Sequence, residues 1–258
     1  MPTPSYFVRT GPATLSPTPL VGGAWNPHEQ HVAPALGVLA HAVEQDARAR
    51  RDDVLLLSRA TWEILGTLTL EPVEVAVEVR RPGRTIELVD ATLSQGGRAA
   101  ILLRAWLQAP RDAGSVAGGA EEPMAGPAAL EPWDPTTDWP GAFITTLAVR
   151  RRRLAPGRAQ VWVRTDVPLL DEPVSPTARL LGLLDVANGM SVRADPRAVA
   201  FPNLDLTAHL HRAPVGDWLG LDSTVTFGAT GLGLTRAVLH DVDGPLGSLA
   251  QTLTVRPG

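Results

Sequence analysis

The sequence predicts an α+β fold built twice in one chain, each time as a central helix followed by a run of antiparallel strands. Three observations predict it. In each half a stripe of helical period precedes segments that alternate with period two. A stretch rich in Pro, Gly and Ala separates the halves. Landmark residues also recur at one spacing: Pro34 and Pro176 lie 142 residues apart, and Gly97 and Gly244 lie 147 apart. Identity between the halves is weak, so the repeat is one of architecture.

In the first half, Asn26-Pro27-His28-Glu29 reads as an N-cap, a first-position proline and a capping-box glutamate. The helix follows, with Leu36, Leu39, Ala40 and Val43 at i, i+3, i+4 and i+7. Val75, Val77 and Val79 alternate with Glu74, Glu78 and Arg80, which predicts a strand, and Arg81-Pro82-Gly83-Arg84 reads as a turn. Residues 86–93 and 98–107 form the next strand pair, joined at Gln95-Gly96-Gly97. In the second half a strand is expected over 160–164. A helix follows from Ser175-Pro176 to Gly189, with Leu180, Leu181, Leu184 and Ala187 as its stripe and Gly189 as a left-handed cap. Strands at 204–211, 219–227, 234–240 and 246–255 complete it. The chain then divides into a first half, 1–108, a connector, 109–141, pinned to the surface by Trp133 and Trp139, and a second half, 142–258.

With 258 residues, 44% of them hydrophobic, the chain can bury a full core. A net charge of −4 argues against a general nucleic-acid footprint. The absence of cysteine excludes disulfides, thiolate catalysis and cysteine–zinc sites. All 23 basic residues are arginine, which excludes Schiff-base and P-loop lysine chemistry. The first eleven residues carry no basic-then-apolar leader, and no window of 18 residues is apolar enough to span a bilayer; a soluble cytoplasmic protein without membrane contact is expected. Ser58, Ser94 and Ser175 lack a G-x-S-x-G elbow, which argues against a Ser-His-Asp hydrolase. His28 and His31 flank Glu29 without a third ligand at suitable spacing, so no metal and no cofactor is expected.

Five segments in order carry a resemblance. They are Gly23-Ala24-Trp25-Asn26-Pro27-His28-Glu29-Gln30-His31 with Pro34 after it; Val79 to Arg84; Asn203 to Pro214; Gly216 to Thr226 with Gly231 and Gly233; and Asp241 to Gly244 with Gln251 beyond. Together they resemble the acyl-CoA thioesterase II-like superfamily of fused double hotdogs. Val32 and Ala33 depart from its pattern, standing where glycines are usual. The resemblance implies a double hotdog, two antiparallel sheets each wrapped around one central helix, that hydrolyses acyl-CoA thioesters without a cofactor. It also implies a water-activating Asp, Thr or Ser, and Gln on strands of the second half. Matched residue by residue, these fall on Asp205, Thr226 and Gln251, with Thr224 two residues from Thr226 on the same face. Such a fused chain meets the pairing of single hotdogs within itself and is compatible with further association into a homo-oligomer.

The residues can also be read without the resemblance. Asp205 shares a strand face with Asn203, Thr207, His209 and His211, a face that is either solvated or bordering a wet site. Gln251 alternates in phase with Leu249, Leu253 and Val255, which places an amide inward where it needs partners. His31 starts a helix, where it lines a pocket or stays on the surface. The turn at Val32-Ala33-Pro34 is a candidate oxyanion site, since Ala33 cannot cap with its side chain and leaves N–H groups free. Asp185, late on the second helix, either lines the cavity or bonds locally. Arg150 and Arg151, in the run that ends at Arg153, suit the phosphates of coenzyme A or form a solvated strand end. The function expected is acyl-CoA hydrolysis. A hotdog that binds acyl-CoA or an acyl carrier without turnover is the alternative, favoured by side chains at Val32 and Ala33 that would crowd the oxyanion site.

Overall fold

The computed structural model describes residues 4–258; residues 1–3, where the segment read for a leader begins, lie outside the described residues. Strands β1 (Phe7–Arg9) and β2 (Thr14–Pro17) precede the long helix α1 (Val32–Arg50). Then come β3 (Leu56–Ile64), β4 (Val73–Arg81), β5 (Ile86–Gln95) and β6 (Arg98–Gln108). Beyond these lie β7 (Glu131–Trp133), α2 (Ala142–Thr145), β8 (Leu147–Ala155), β9 (Arg158–Thr165), α3 (Pro176–Leu181), α4 (Ala187–Met190) and β10 (Val199–Ala200). Strands β11 (Asp205–Leu210), β12 (Leu219–Phe227), β13 (Leu232–Asp241), β14 (Gly244–Thr254) and β15 (Arg256–Pro257) end the chain. Among the described residues no helix is long and apolar enough to cross a membrane.

The first helix begins later than the capping pattern predicts. Asn26 to Glu29 form a turn, in which Asn26 Oδ1 accepts the His28 N–H and its carbonyl accepts the Glu29 N–H. Backbone pairing overrides the local cap, because the Gly23 N–H binds the Glu29 carbonyl and the Gln30 N–H binds the Leu68 carbonyl. The N-cap is instead His31. From Ala33 to His41 α1 is buried on every face, as a helix enclosed by a sheet must be, and Arg48 and Arg50 close its C-terminal turn against the dipole.

Two sheets around two helices were expected; the chain forms one large antiparallel sheet. Among the described residues thirteen strands run in the order β1-β2-β4-β5-β6-β3-β11-β14-β13-β12-β9-β8-β7. The join is β3 with β11, antiparallel, with Ala208 opposite Ala60 and Asp205 opposite Glu63. Each would otherwise be an edge strand with unpaired N–H and C=O groups, and pairing them removes both edges. A second, two-stranded sheet of β10 and β15 stands apart.

The second helix is broken. α3 ends at Gly182, and the Leu183 N–H reaches back only to the Leu180 carbonyl. A 3₁₀ turn over Leu184–Val186 follows before α4. Gly189 is not a left-handed cap; it lies inside α4 against the Trp139 indole, whose Nε1 donates to its carbonyl at 2.9 Å. The close crossing of α1 and α3 is set by glycine. A Cβ at Gly37 would lie 2.8 Å from both the Ala178 carbonyl oxygen and the Gly182 Cα. Gly37→Ala is therefore expected to destabilise despite alanine's better helix propensity. About 1 kcal/mol of propensity gain is set against about 1–3 kcal/mol of overpacking. The urea midpoint should fall with the slope unchanged; a raised midpoint would show that the helices can part without cost.

Strand β3 escapes the periodicity because a register shift between Leu57 and Arg59 interrupts its alternation. In β8 only Leu147 and Val149 are buried before the arginine run, which lies within the strand rather than at its end. Met124 and Leu130 of the preceding segment pack on Trp162, whose Nε1 donates to the Ala125 carbonyl at 2.7 Å.

Candidate active site

A cavity of about 520 Å³ opens at the N-terminus of α1. Trp25, Ile64, Leu68, Trp139, Val186 and Met190 give it apolar walls, and His31, Asp185 and Asn203 are its convergent polar groups. Trp25, Trp139 and Phe201 meet edge to face, with centroids 4.9 to 5.8 Å apart, which fixes the aromatic wall.

Three elements bring the polar groups together. The 3₁₀ turn after α3 supplies Asp185, the extended segment before β11 supplies Asn203, and β14 supplies Gln251. Asp185 Oδ1 accepts from Asn203 Nδ2 at 2.7 Å and from Gln251 Nε2 at 3.5 Å. A backbone bridge between Asn203 and Leu253 holds the two amide-bearing segments side by side. Gln251 is fully buried, and its Oε1 has no partner among the described residues. Leaving such an oxygen unmatched costs about 1–3 kcal/mol unless water meets it.

Burial pushes the Asp185 carboxyl up to about 7, with the Asn203 donor pulling the other way. That value suits a base at neutral pH. His31 Nδ1 lies 3.7 Å from Asp185 Oδ2, but burial lowers the imidazole to about 3, so it is neutral and forms no ion pair. Its Nδ1 accepts the Ala33 N–H at 3.2 Å, which leaves the ring proton on Nε2. Ala33 is thus fully buried and its N–H engaged, contrary to the expectation of a free donor there. Pro34 has no N–H. Of the first three helical positions, only Val32 has an N–H without a hydrogen-bond partner among the described residues, and Val32 lines the cavity. The arrangement offers a buried carboxylate and a helix N-terminus on one apolar cavity.

Sequence comparison gives two matches to one family. Residues 21–108 match the acyl-CoA thioesterase N-terminal domain, and residues 119–255 match the acyl-CoA thioesterase C-terminal domain. The chain belongs to the acyl-CoA thioesterase family. It is a thioester hydrolase acting on acyl-CoA. Among curated proteins none matches. Solved structures share the fold. The acyl-CoA thioesterase II TesB2 of Mycobacterium marinum is 20% identical, with 98% of this chain and 95% of that one covered and a TM-score of 0.68. The tesB protein of Mycobacterium avium subs paratuberculosis is 18% identical over 97% and 96%, TM-score 0.64. A protein with a hot dog fold from Alicyclobacillus acidocaldarius is 14% identical over 97% and 96%, TM-score 0.76.

In this thioesterase the residues matched from the resemblance do not all meet. Gln251 reaches Asp185 but, like Asp205 and Thr226, lines no part of the cavity. Asp205 Oδ1 accepts the Thr252 N–H at 2.5 Å, a strand-to-strand lock on the face opposite the buried Leu206 and Ala208. Thr226 is exposed opposite Leu234, and Thr224, half-buried opposite Arg236 and Arg158, lines no part of the cavity. Arg150 and Arg151 are likewise turned away. Arg150 donates to the Leu130 carbonyl at 3.2 Å, and the Arg151 guanidinium stacks 3.4 Å over Trp133, clasping the segment before β8. His31 and Val32 do line the cavity. Asn203 was noticed in sequence only as a neighbour of Asp205 on a strand face. The signal lay in its position: β11 begins at Asp205, so the alternation that paired the two does not extend to Asn203.

Proposed function

We propose that the thioesterase hydrolyses its substrate with a water activated by Asp185, with Asn203 and Gln251 as positioning amides. The observation that supports this is the cluster itself: a buried carboxylate bound by two amides, in the wall of an apolar cavity at a helix N-terminus. The acyl chain lies along the tryptophan and aliphatic wall. The thioester carbonyl turns toward Val32, whose N–H and the α1 dipole stabilise the tetrahedral oxyanion. Asp185 accepts the water's proton as the water oxygen bonds to the carbonyl carbon, and returns a proton to the departing thiolate. Asn203 and Gln251 fix the carboxylate, each donating to its Oδ1. No covalent acyl-enzyme forms, and the residues of this site call for no metal.

Two halves, 1–108 and 142–258, joined through 109–141, are the domain reading that accompanies this proposal. The test is thiol release from a panel of acyl-CoAs across pH. With Asp185 at about 7, kcat/KM should rise about tenfold per pH unit below 7 and then level, because only the carboxylate accepts the proton. Acyl-CoA binding with no thiol released, or a flat profile between pH 5 and 7, would sink the proposal.

A further inference from the structure

The cavity's charged lining residues are Glu29, Asp185 and Arg256, so Arg256 is its one lining cation among the described residues. It is exposed and makes no ion pair with any carboxylate among the described residues, unlike Arg9, Arg50, Arg51 and Arg212. It is also held in place. β15 pairs with β10, with Arg256 opposite Ala200, and the neighbouring Val255 and Gly258 N–H groups bind the Gly231 and Ala198 carbonyls. An unpaired cation on a pinned backbone at the mouth of an apolar cavity is arranged for an anion that arrives with the ligand.

We infer that Arg256 binds the phosphate of the phosphopantetheine arm, and so sets the enzyme's preference for phosphorylated pantetheine thioesters. This rests on the thioesterase reading, and length supports it. Arg256 lies five residues beyond Gln251, at most about 17 Å along an extended chain. 4′-Phosphopantetheine carries thirteen bonds between sulfur and phosphorus and reaches about 15 Å at the extension of a peptide chain. With sulfur beside Asp185, the phosphate comes within reach of Arg256. The arginine run in β8 does not compete, because none of its four arginines lines the cavity and Arg150, Arg151 and Arg152 are spent on Leu130, Trp133 and Ala129. The phosphate is common to coenzyme A and to a carrier-bound arm, and free ligands isolate it from both.

The experiment is calorimetric binding of pantetheine, 4′-phosphopantetheine and coenzyme A to the full chain, to Arg256→Ala and to Arg256→Lys. The parent should bind 4′-phosphopantetheine about tenfold more tightly than pantetheine. Arg256→Ala should erase that difference while binding pantetheine as the parent does, and Arg256→Lys should keep part of it. A phosphate preference that survives in Arg256→Ala, or is missing from the parent, overturns the inference. Because binding is read without turnover, failure of the hydrolytic proposal appears separately, as phosphate-dependent binding with no thiol release.

Discussion

Asp185→Asn is expected to fold, to bind acyl-CoA with near-parental affinity, and to lose two to four orders of magnitude in kcat. Removing a general base costs about 10²–10⁴ in rate, roughly 3–5 kcal/mol in the barrier. The substitution keeps the volume. The amide oxygen can still accept from Asn203 Nδ2, now at 2.7 Å from Asp185, and its NH₂ turns to the side that faced His31. What disappears is the capacity to take a proton from water. Steady-state kinetics on the best acyl-CoA of the panel, alongside equilibrium binding of coenzyme A, separates the two effects. Asp205→Asn is the control that discriminates, since that carboxylate lies outside the cavity, where its Oδ1 accepts the Thr252 N–H. If the Asp205 variant loses the rate and the Asp185 variant does not, the site has been placed on the wrong carboxylate.

Much of the fold was legible because its elements obey one period at a time. The alternation of β4, β5 and β12 is a direct record of which face is buried, and the stripe of α1 marks its helical period although residues 33–41 are buried on every face. The failures occur where two rules meet in one segment. Strand β3 carries a register shift, so its alternation reads as noise. The stripe of the second helix continues through Ala187, yet its backbone tightens at Gly182, where it meets Gly37 of α1, a contact between segments far apart in sequence. The site was harder to read for the same reason. Gln251 could be found because an inward amide in a strand is conspicuous. Asp185 could only be left open between a cavity and a local bond, because its surroundings come from Asn203 and Gln251, which sequence does not place beside it. For Asp205 the sequence shows its place on a strand, but not that the Thr252 N–H bound to its Oδ1 comes from the neighbouring strand.

The burial that raises the Asp185 carboxyl should weaken the fold as pH rises. Its folded value near 7 lies above the value of about 4 expected in the unfolded chain. A group raised in this way contributes stability that is fully present below about pH 4 and is lost as pH rises to the folded value. The whole loss corresponds to roughly 4 kcal/mol, of which about 2–3 kcal/mol falls between pH 5 and 8. Other groups act in the opposite sense. Hydrogen bonding from Arg9 holds Glu172 down to about 2, so its stability is lost only below about pH 4 and is constant in this window. His31, lowered to about 3 by burial, costs stability below about pH 6.5, but does so whether or not residue 185 carries a charge. The difference between parent and Asp185→Asn therefore isolates the carboxylate. Denaturant unfolding should give the two proteins closer stabilities at pH 5 and place the variant about 2–4 kcal/mol above the parent at pH 8. A variant that is inactive yet more stable above neutral pH is the signature of a carboxylate kept buried for its chemistry. Parallel stability profiles from pH 5 to 8 would mean that Asp185 ionises at its ordinary value, and the rise of kcat/KM toward pH 7 would then need another group.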